Sequence, residues 1–499
     1  MNSDRAALAG SAVHAFKWNV LGVGARTLLQ FGAMVPLARL IEPAGFGFFG
    51  ACMLAYGIST LVAERGLGVA LVQREVLPER LRHIAWGHLL LSHGLLAAGL
   101  FGAAPWLAAQ FDAPGLRDGM RFMALVVLVT SFTVLPTVEL RRRIDFRRIQ
   151  AAQVGGYFAG YVLTAIPLAV LGWGGWSLLM AMLVQQAVIA GMVMRAAPHS
   201  LRPHWGGLPQ GLPAFGWRVV GSNIANWVTE NLDNLLIGRF KGVAALGLYS
   251  VSYSLARTPV NHVVNTVQQV VFATASRVGA DDGALARGYL ALCKAVGLVA
   301  LPVFFGAAVV PDSVVQGLYG ERWAQAAPAF SALCVAMPFH ALMAIAGPIL
   351  WGRGRTGVEV KVQAVVAAVL AMVLMLLMDR SLTVLAWAVC GVYVLRAIWM
   401  TAALAQDLAI PATRILRALV MPALLAGASM TVLWALQAVL AAAEVAGALR
   451  LLALIGGAAL VLAPAVLLWP QRILGDDLAF LVARLPLLGR LRAVRGAAV

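Results

Sequence analysis

Long apolar runs separated by short polar breaks dominate the chain from Lys17 onward. They fall near 18–40, 47–72, 84–109, 119–139, 150–171 and 174–194, then 217–238, 247–275, 289–311, 323–351, 362–378, 382–404, 415–440 and 448–469. Each is close to or above the roughly 20 residues that a helix needs to cross a bilayer. In hydrocarbon a helix satisfies its own backbone hydrogen bonds, so the pattern predicts an all-α polytopic membrane protein of about fourteen spans. The first run is too long, and with Arg26 inside it too polar, for a cleaved signal peptide.

A polar, proline-rich break from Arg195 to Pro213 divides the runs, and the two sides begin alike. Trp18, Arg39 and Gly47 recur as Trp217, Arg239 and Gly247 at nearly the same spacing. Both copies open an odd-numbered span, so both halves enter the membrane in the same direction, as in transporters built from parallel repeats. The expected organisation is a cytoplasmic N-terminus (1–16), a six-span N-lobe (17–194), a cytoplasmic linker (195–216) and a six-span C-lobe (217–404). Two further spans (405–470) stand outside the repeat. A basic tail (471–499), with arginines among leucines, reads as an interfacial helix.

Charge changes the picture by where it sits. The chain carries 38 Lys and Arg against 21 Asp and Glu, a net +17, which on its own invites a nucleic-acid partner. With the N-terminus taken as inside, however, the gaps on that side hold 25 of the 38 basic residues and the opposite gaps hold eight. That asymmetry is the positive-inside signature and predicts both termini in the cytoplasm. The densest cluster, ELRRRIDFRR (Glu139 to Arg148), then reads as an orientation signal against anionic headgroups, and nucleic acid is not expected. Composition agrees: 61% of the 499 residues are hydrophobic and 12% charged, with mean hydropathy +0.85, leaving little for an extramembrane domain. Fifty glycines and 22 prolines suit close-packed membrane helices.

The rest of the chemistry is narrow. Cys52, Cys293, Cys334 and Cys390 lie singly in apolar stretches, so neither a disulfide framework nor a thiolate metal site is implied. His83, His88 and His93 recur every five residues and scatter around a helical wheel, which argues against a metal site. No GxxxxGK[ST] loop is present to use ATP.

Polar residues inside the spans carry the functional signal. A charge in the bilayer costs about 2.5–3.5 kcal/mol on insertion scales, so each should face a cavity or a partner. In span one, Asn19, Arg26 and Gln30 share one face; in span seven, Asn223, Asn226, Glu230 and Asn234 do. In span eight, Ser250, Ser254, Arg257, Asn261, Asn265 and Gln268 form a stripe over five turns. Such stripes fit either interhelical hydrogen-bond seams or a cavity lining. Span one has no acidic residue near Arg26 and span eight has none at all, which favours a wet cavity or a visiting anion. A diphosphate suits guanidinium groups well. Glu64 and Arg65 sit in ERGLG, where Gly66 and Gly68 can break the helix. A local ion pair is one reading of them; Glu230 and Asp233 fit either the neutralising of cavity arginines or, with Glu64, the coupling of a proton or Na⁺.

Several segments resemble Wzx-type polysaccharide flippases, near the colanic-acid exporter branch of the multidrug, oligosaccharidyl-lipid and polysaccharide exporter superfamily. They are ARLIEPAGFG (Ala38 to Gly47), ERGLGVALVQR (Glu64 to Arg74), ELRRRIDFRR, GGWSL (Gly174 to Leu178), IGRFKGVAALGLYSVSYSLARTP (Ile237 to Pro259) and YGERW (Tyr319 to Trp323). The resemblance runs from about Lys17 to about Gln406. It implies a bacterial inner-membrane protein with two six-helix lobes around a cationic cavity. Its task would be to move an undecaprenyl-diphosphate-linked oligosaccharide to the periplasmic leaflet by alternating access. Arg26, Arg65 and Arg257 match by helix the diphosphate-binding arginines of the related lipid II flippase. The resemblance implies a transporter rather than an enzyme, with no cofactor beyond a coupling ion, and with membrane lipids and polysaccharide polymerase machinery as partners. The competing expectations are a cation-coupled multidrug exporter, which would favour carboxylates in its cavity, and a membrane polymerase or ligase. The latter would need a larger outer loop than the dozen or fewer residues available.

Overall fold

The structure, a computed structural model, describes residues 2–64, 66–74, 76–113, 115–209, 212–278, 282–445 and 447–468, with most side chains from Lys17 onward. All regular elements among these residues are helical. Twelve helices are long and apolar enough to cross a membrane. One of them, 219–261, is broken at Gly242 (φ 83°, ψ 172°), and a further short apolar helix covers 449–461. Every apolar run read from the sequence therefore has its helix. Contacts divide the chain into two compact units, 1–250 and 251–499.

The first unit contains α1 (Asn2–Leu40), α2 (Pro43–Glu64), α3 (Leu67–Val72), α4 (Glu79–Gln110), α5 (Leu116–Arg142), α6 (Phe146–Tyr157), α7 (Ile166–Val170), α8 (Gly175–Ala196) and the start of α9 (Leu212–Val278). α1 begins well before the apolar run, so residues 2–16 continue the first span as helix. The run expected as one span over 47–72 is interrupted at Gly66, whose φ of 62° is left-handed. Glycine adopts that conformation without Cβ strain. A Cβ there would also come within 2.9 Å of the Gly216 backbone. Between α6 and α7 lies a π-helical stretch, Phe158–Ala165, whose wider turn is marked by Thr164 Oγ1 donating to the carbonyl of Ala159, five residues back, at 2.9 Å. Asp145 caps α6 by accepting from the Arg148 amide at 3.1 Å.

The core of this unit lies between α2, α4, α5 and α8, with Ala51, Cys52, Met120, Met123, Val127 and Leu179 at its centre. Close helix approach needs small residues. At the start of α2 and of the second half of α9 (243–278), Gly47 and Gly247 face each other: a Cβ on Gly47 would overlap the Val243 carbonyl, and one on Gly247 that of Pro43. These two glycines are the pair that the internal repeat had matched. The 197–209 segment lies across the start of α4. The Trp86 indole donates to Leu201 O at 3.0 Å, a ring nitrogen of His88 lies 3.0 Å from Gly206 O, and the His204 amide donates to His83 O.

The second unit adds α10 (Asp282–Val309), α11 (Pro311–Tyr319), a 3₁₀ turn (Glu321–Ala326), α12 (Ala327–Gly352), α13 (Thr356–Leu376), α14 (Leu382–Asp407), α15 (Ala412–Ala442) and α16 (Gly447–Leu468). α12 is its central helix and packs on α10 and α14. The two terminal spans outside the repeat are integral to this unit. Gly297 and Gly306 of α10 let α15 in close, where Ser429 Oγ donates to Pro302 O at 3.2 Å. Val310, Leu433 and Leu454 then join α11, α15 and α16 in one small core. Leu416, Leu424, Trp434, Leu452 and Leu460 are exposed on the outer faces of α15 and α16, as helices in contact with lipid require. At the ends of α10, α12 and α14, Arg353 bridges Asp282 and Asp407, and Arg355 Nε lies 2.9 Å from Asp407. The basic tail of 471–499 lies outside the described residues.

Candidate functional site

In the first unit, the polar face of α1 meets α6. Arg26 is half-buried, with Nη1 donating to Gln153 Oε1 at 3.4 Å. About two helical turns earlier, Asn19 Oδ1 accepts from Gln150 Nε2 at 2.8 Å. Gln30, also half-buried, lies on the same helix further along. Tyr157, within electrostatic reach of Arg26, stacks on Tyr161 at 4.4 Å between ring centroids and 10° between planes. Sequence reading singled out the arginine but not its neighbours on α6. The signal was present: Gln150, Gln153 and Tyr157 are spaced three and four residues apart, which places them on one helical face.

Glu64 is half-buried at the end of α2, next to the Gly66 break, and Arg141 acts on it electrostatically. Arg65 lies outside the described residues. Beside Glu64 and Arg141, Arg142 ties the α2–α4 connection down through the carbonyls of Leu71 (3.0 Å) and Arg74.

The first half of α9 (212–241) separates its polar residues by burial. Asn223 and Asn226 are exposed and Glu230 is half-buried. Asp233 and Asn234 are buried, at 2% and 9% exposure. Asp233 Oδ2 accepts from the Tyr249 hydroxyl at 2.6 Å, and its Oδ1 accepts from the Asn234 amide at 2.8 Å. Asp233 thus links the segments on either side of Gly242.

In the second unit, Ser254 is exposed, Asn261 half-buried and Arg257 half-buried, with the Arg257 guanidinium 5.3 Å from the Tyr253 ring centroid. The side chains of Asn265 and Gln268 are not among the described ones. Tyr253 and Tyr393 share a 2.6 Å hydroxyl contact, and the Tyr393 ring meets His340 edge-on at 5.6 Å. Arg257 and Arg396 both act on His340. No group of three or more His, Cys, Asp or Glu suited to a metal ion occurs among the described residues. Outside the spans, burial against α4, reinforced by the neighbouring His83, holds His199 below its ordinary value of 6.5.

Comparison with known proteins adds what geometry alone does not. Residues 36–328 match the family described as polysaccharide biosynthesis protein. The succinoglycan biosynthesis transport protein ExoT of Rhizobium meliloti is 27% identical over 345 residues, covering 68% of this chain and 69% of that protein. The lipopolysaccharide biosynthesis protein WzxC of Escherichia coli is 22% identical, covering 69% and 70%. Among solved structures, the lipid II flippase MurJ in an inward closed conformation superposes with a TM-score of 0.73 at 11% identity, covering 91% of this chain and 99% of that one. An inward-facing multidrug resistance MATE family transporter gives 0.61 at 16%, covering 77% and 94%. At those identities the structural likeness is one of fold.

Proposed function

The chain belongs to the polysaccharide biosynthesis protein family, and on that premise we propose that it is a lipid-linked oligosaccharide flippase. It moves an undecaprenyl-diphosphate-linked repeat unit from the cytoplasmic to the periplasmic leaflet of a bacterial inner membrane, with both termini in the cytoplasm. The observation that carries this reading is the presence of arginines inside spanning helices. Arg26 rests on a glutamine and Arg257 on a tyrosine ring. A guanidinium inside a span suits the oxygens of a diphosphate, which it binds in bidentate fashion. A multidrug exporter that takes cations would place carboxylates there instead. The relatives' names point to transport in polysaccharide assembly.

Arg26, Arg65 and Arg257 take the diphosphate, and the polar stripes of α1 and α9 meet the sugars while the lipid tail stays in the bilayer. The two six-helix lobes alternate in exposing the site. An ion gradient drives the cycle, with Glu64, Glu230 and Asp233 as the groups that bind H⁺ or Na⁺, or downstream polymerisation pulls it forward. Polymerase machinery at the membrane is the natural partner.

The test is to change Arg26, Arg65 and Arg257 singly to Ala and follow surface polysaccharide and the leaflet distribution of the lipid-linked precursor. Loss of one charge-assisted bond, about 1.5–3 kcal/mol, corresponds to a roughly ten- to hundredfold fall in transfer. Normal export by all three variants would sink the reading.

A further inference from the structure

The seam between α1 and α6 sets a glutamine against the Arg26 guanidinium. On one side α6 is pressed onto α8, where a Cβ on Gly156 would come within 2.9 Å of the Gln185 carbonyl. Its other face carries Gln150, Gln153 and, about one turn further, the buried Tyr157. α1 closes on that face at Gly22, which is buried and where a Cβ would run into the Gln150 side chain. Asn19 and Arg26 flank Gly22, and each meets one amide. Gln150 Nε2 donates to Asn19, and Gln153 Oε1 accepts from Arg26 Nη1 at 3.4 Å. Arg26 lies about two turns past Asn19, whereas Gln153 lies about one past Gln150. The guanidinium therefore reaches back toward the start of α1, the direction in which helix side chains lean.

The acceptor at this seam is neutral. Among the described residues Arg26 forms no ion pair. α6 itself, FRRIQAAQVGGY from Phe146 to Tyr157, brings no carboxylate to the contact. A carboxylate in place of Gln153 would hold the guanidinium by a charge-assisted bond roughly twice as strong as a neutral one, and a phosphate would have to displace it. An amide oxygen instead orients one N–H of the planar fork and leaves the rest for a second acceptor. At 3.4 Å the bond is longer than the usual range of about 2.7–3.2 Å, so it directs the arginine more than it retains it.

We propose that Gln153 is a positioning residue for the diphosphate: it aims the Arg26 guanidinium from the α1–α6 seam and, being neutral, does not compete with phosphate for it. The assignment rests on the flippase reading, in which Arg26 takes the diphosphate. It makes α6 part of the machinery although none of its own side chains touches the substrate.

The experiment uses the purified full-length chain in lipid nanodiscs, with undecaprenyl diphosphate carrying no sugar as the probe. Arg26→Gln should weaken binding about tenfold or more. Gln153→Leu, close in size but without an acceptor, should weaken it about fivefold. Gln153→Glu keeps the shape and the acceptor and adds the competing charge. It should therefore bind more weakly than the Leu variant, with an unfolding temperature equal to or above that of the wild type. A merely structural glutamine gives the opposite order, with the Glu variant binding as the wild type does. In an Arg26→Gln background, Gln153→Leu should cause no further loss, since its effect runs through the arginine. Wild-type binding by Gln153→Glu overturns the proposal, and so does a Leu effect that persists undiminished without Arg26. Thermal unfolding shows which variants are folded; the Glu variant carries the test where Leu fails to fold, and the paired Leu variants carry it where Glu does. Failure of the flippase reading has a different mark: Arg26→Gln would bind the probe as the wild type does.

Discussion

Asp233 and His199 show how one side chain's surroundings decide its consequences. Asp233 is a candidate for ion coupling by its place in a span, yet it is also a structural acceptor for Tyr249. Tyr249→Phe leaves that carboxylate oxygen short of a donor and should cost about 1–3 kcal/mol, read as a lower unfolding temperature in detergent. Asp233→Asn separates the two roles. A structural aspartate would lower stability and leave the ion dependence of transport unchanged, whereas a coupling aspartate would remove it. His199 works in the opposite sense to a histidine paired with a carboxylate. Burial holds it below its ordinary value of 6.5, so the folded state favours the neutral imidazole and the unfolded chain takes up a proton first. The stability it contributes is present above about pH 6.5 and is lost as the pH falls through the folded value. The unfolding temperature should therefore drop between pH 7.5 and 5.5, and His199→Gln should flatten that part of the profile.

At the scale of elements, the glycines that matter are those where a backbone comes too close for a Cβ. Gly47 and Gly247 bring α2 and the second half of α9 together, and the obstacle to a side chain on either is a carbonyl, which cannot rotate away. Gly47→Ala or Gly247→Ala should destabilise at or above the upper end of the roughly 1–3 kcal/mol seen for overpacked cores. Gly94→Ala, with nothing within 4 Å of its Cβ position, should be neutral or stabilising. Thermal unfolding of the three variants makes the comparison. Sequence exposed the Gly47 and Gly247 correspondence as a spacing match, but not that the two residues touch. The interruption of the second apolar run was likewise legible only as an option. Gly66 and Gly68 both stood in ERGLG, and the left-handed turn falls at Gly66 because the Gly216 backbone closes on it. The π-helical turn after Tyr157 had no sequence counterpart at all.

For the molecule as a whole, the terminal helices change meaning. By repeat they are extra, but α15 covers α10 through Gly297, Gly306 and Ser429, and α16 closes a small core with Val310 and Leu433. Deleting residues 411–499 should strip α10 of this cover and lower the yield of folded protein, measured as the monodisperse fraction after detergent extraction. An equivalent yield would show that the two helices are an accessory. The exposed leucines and tryptophan on their outer faces are where the lipid lies.

The sequence by itself determined the class and the approximate number of spans, and it supplied expectations for their direction and for the kind of ligand. Hydrophobic length, loop charge and the cost of a buried guanidinium are all properties of local composition. The positions of Asn19, Arg26 and Arg257 on polar faces were legible for the same reason, since a helix has a fixed period. Only the tertiary structure supplied the partners: Gln150 and Gln153 for α1, Tyr249 for Asp233, and His340, Tyr393 and Arg396 around Tyr253. Those pairs lie up to 140 residues apart in sequence. Which polar faces meet is decided by how the helices pack, and helical periodicity carries no information about that.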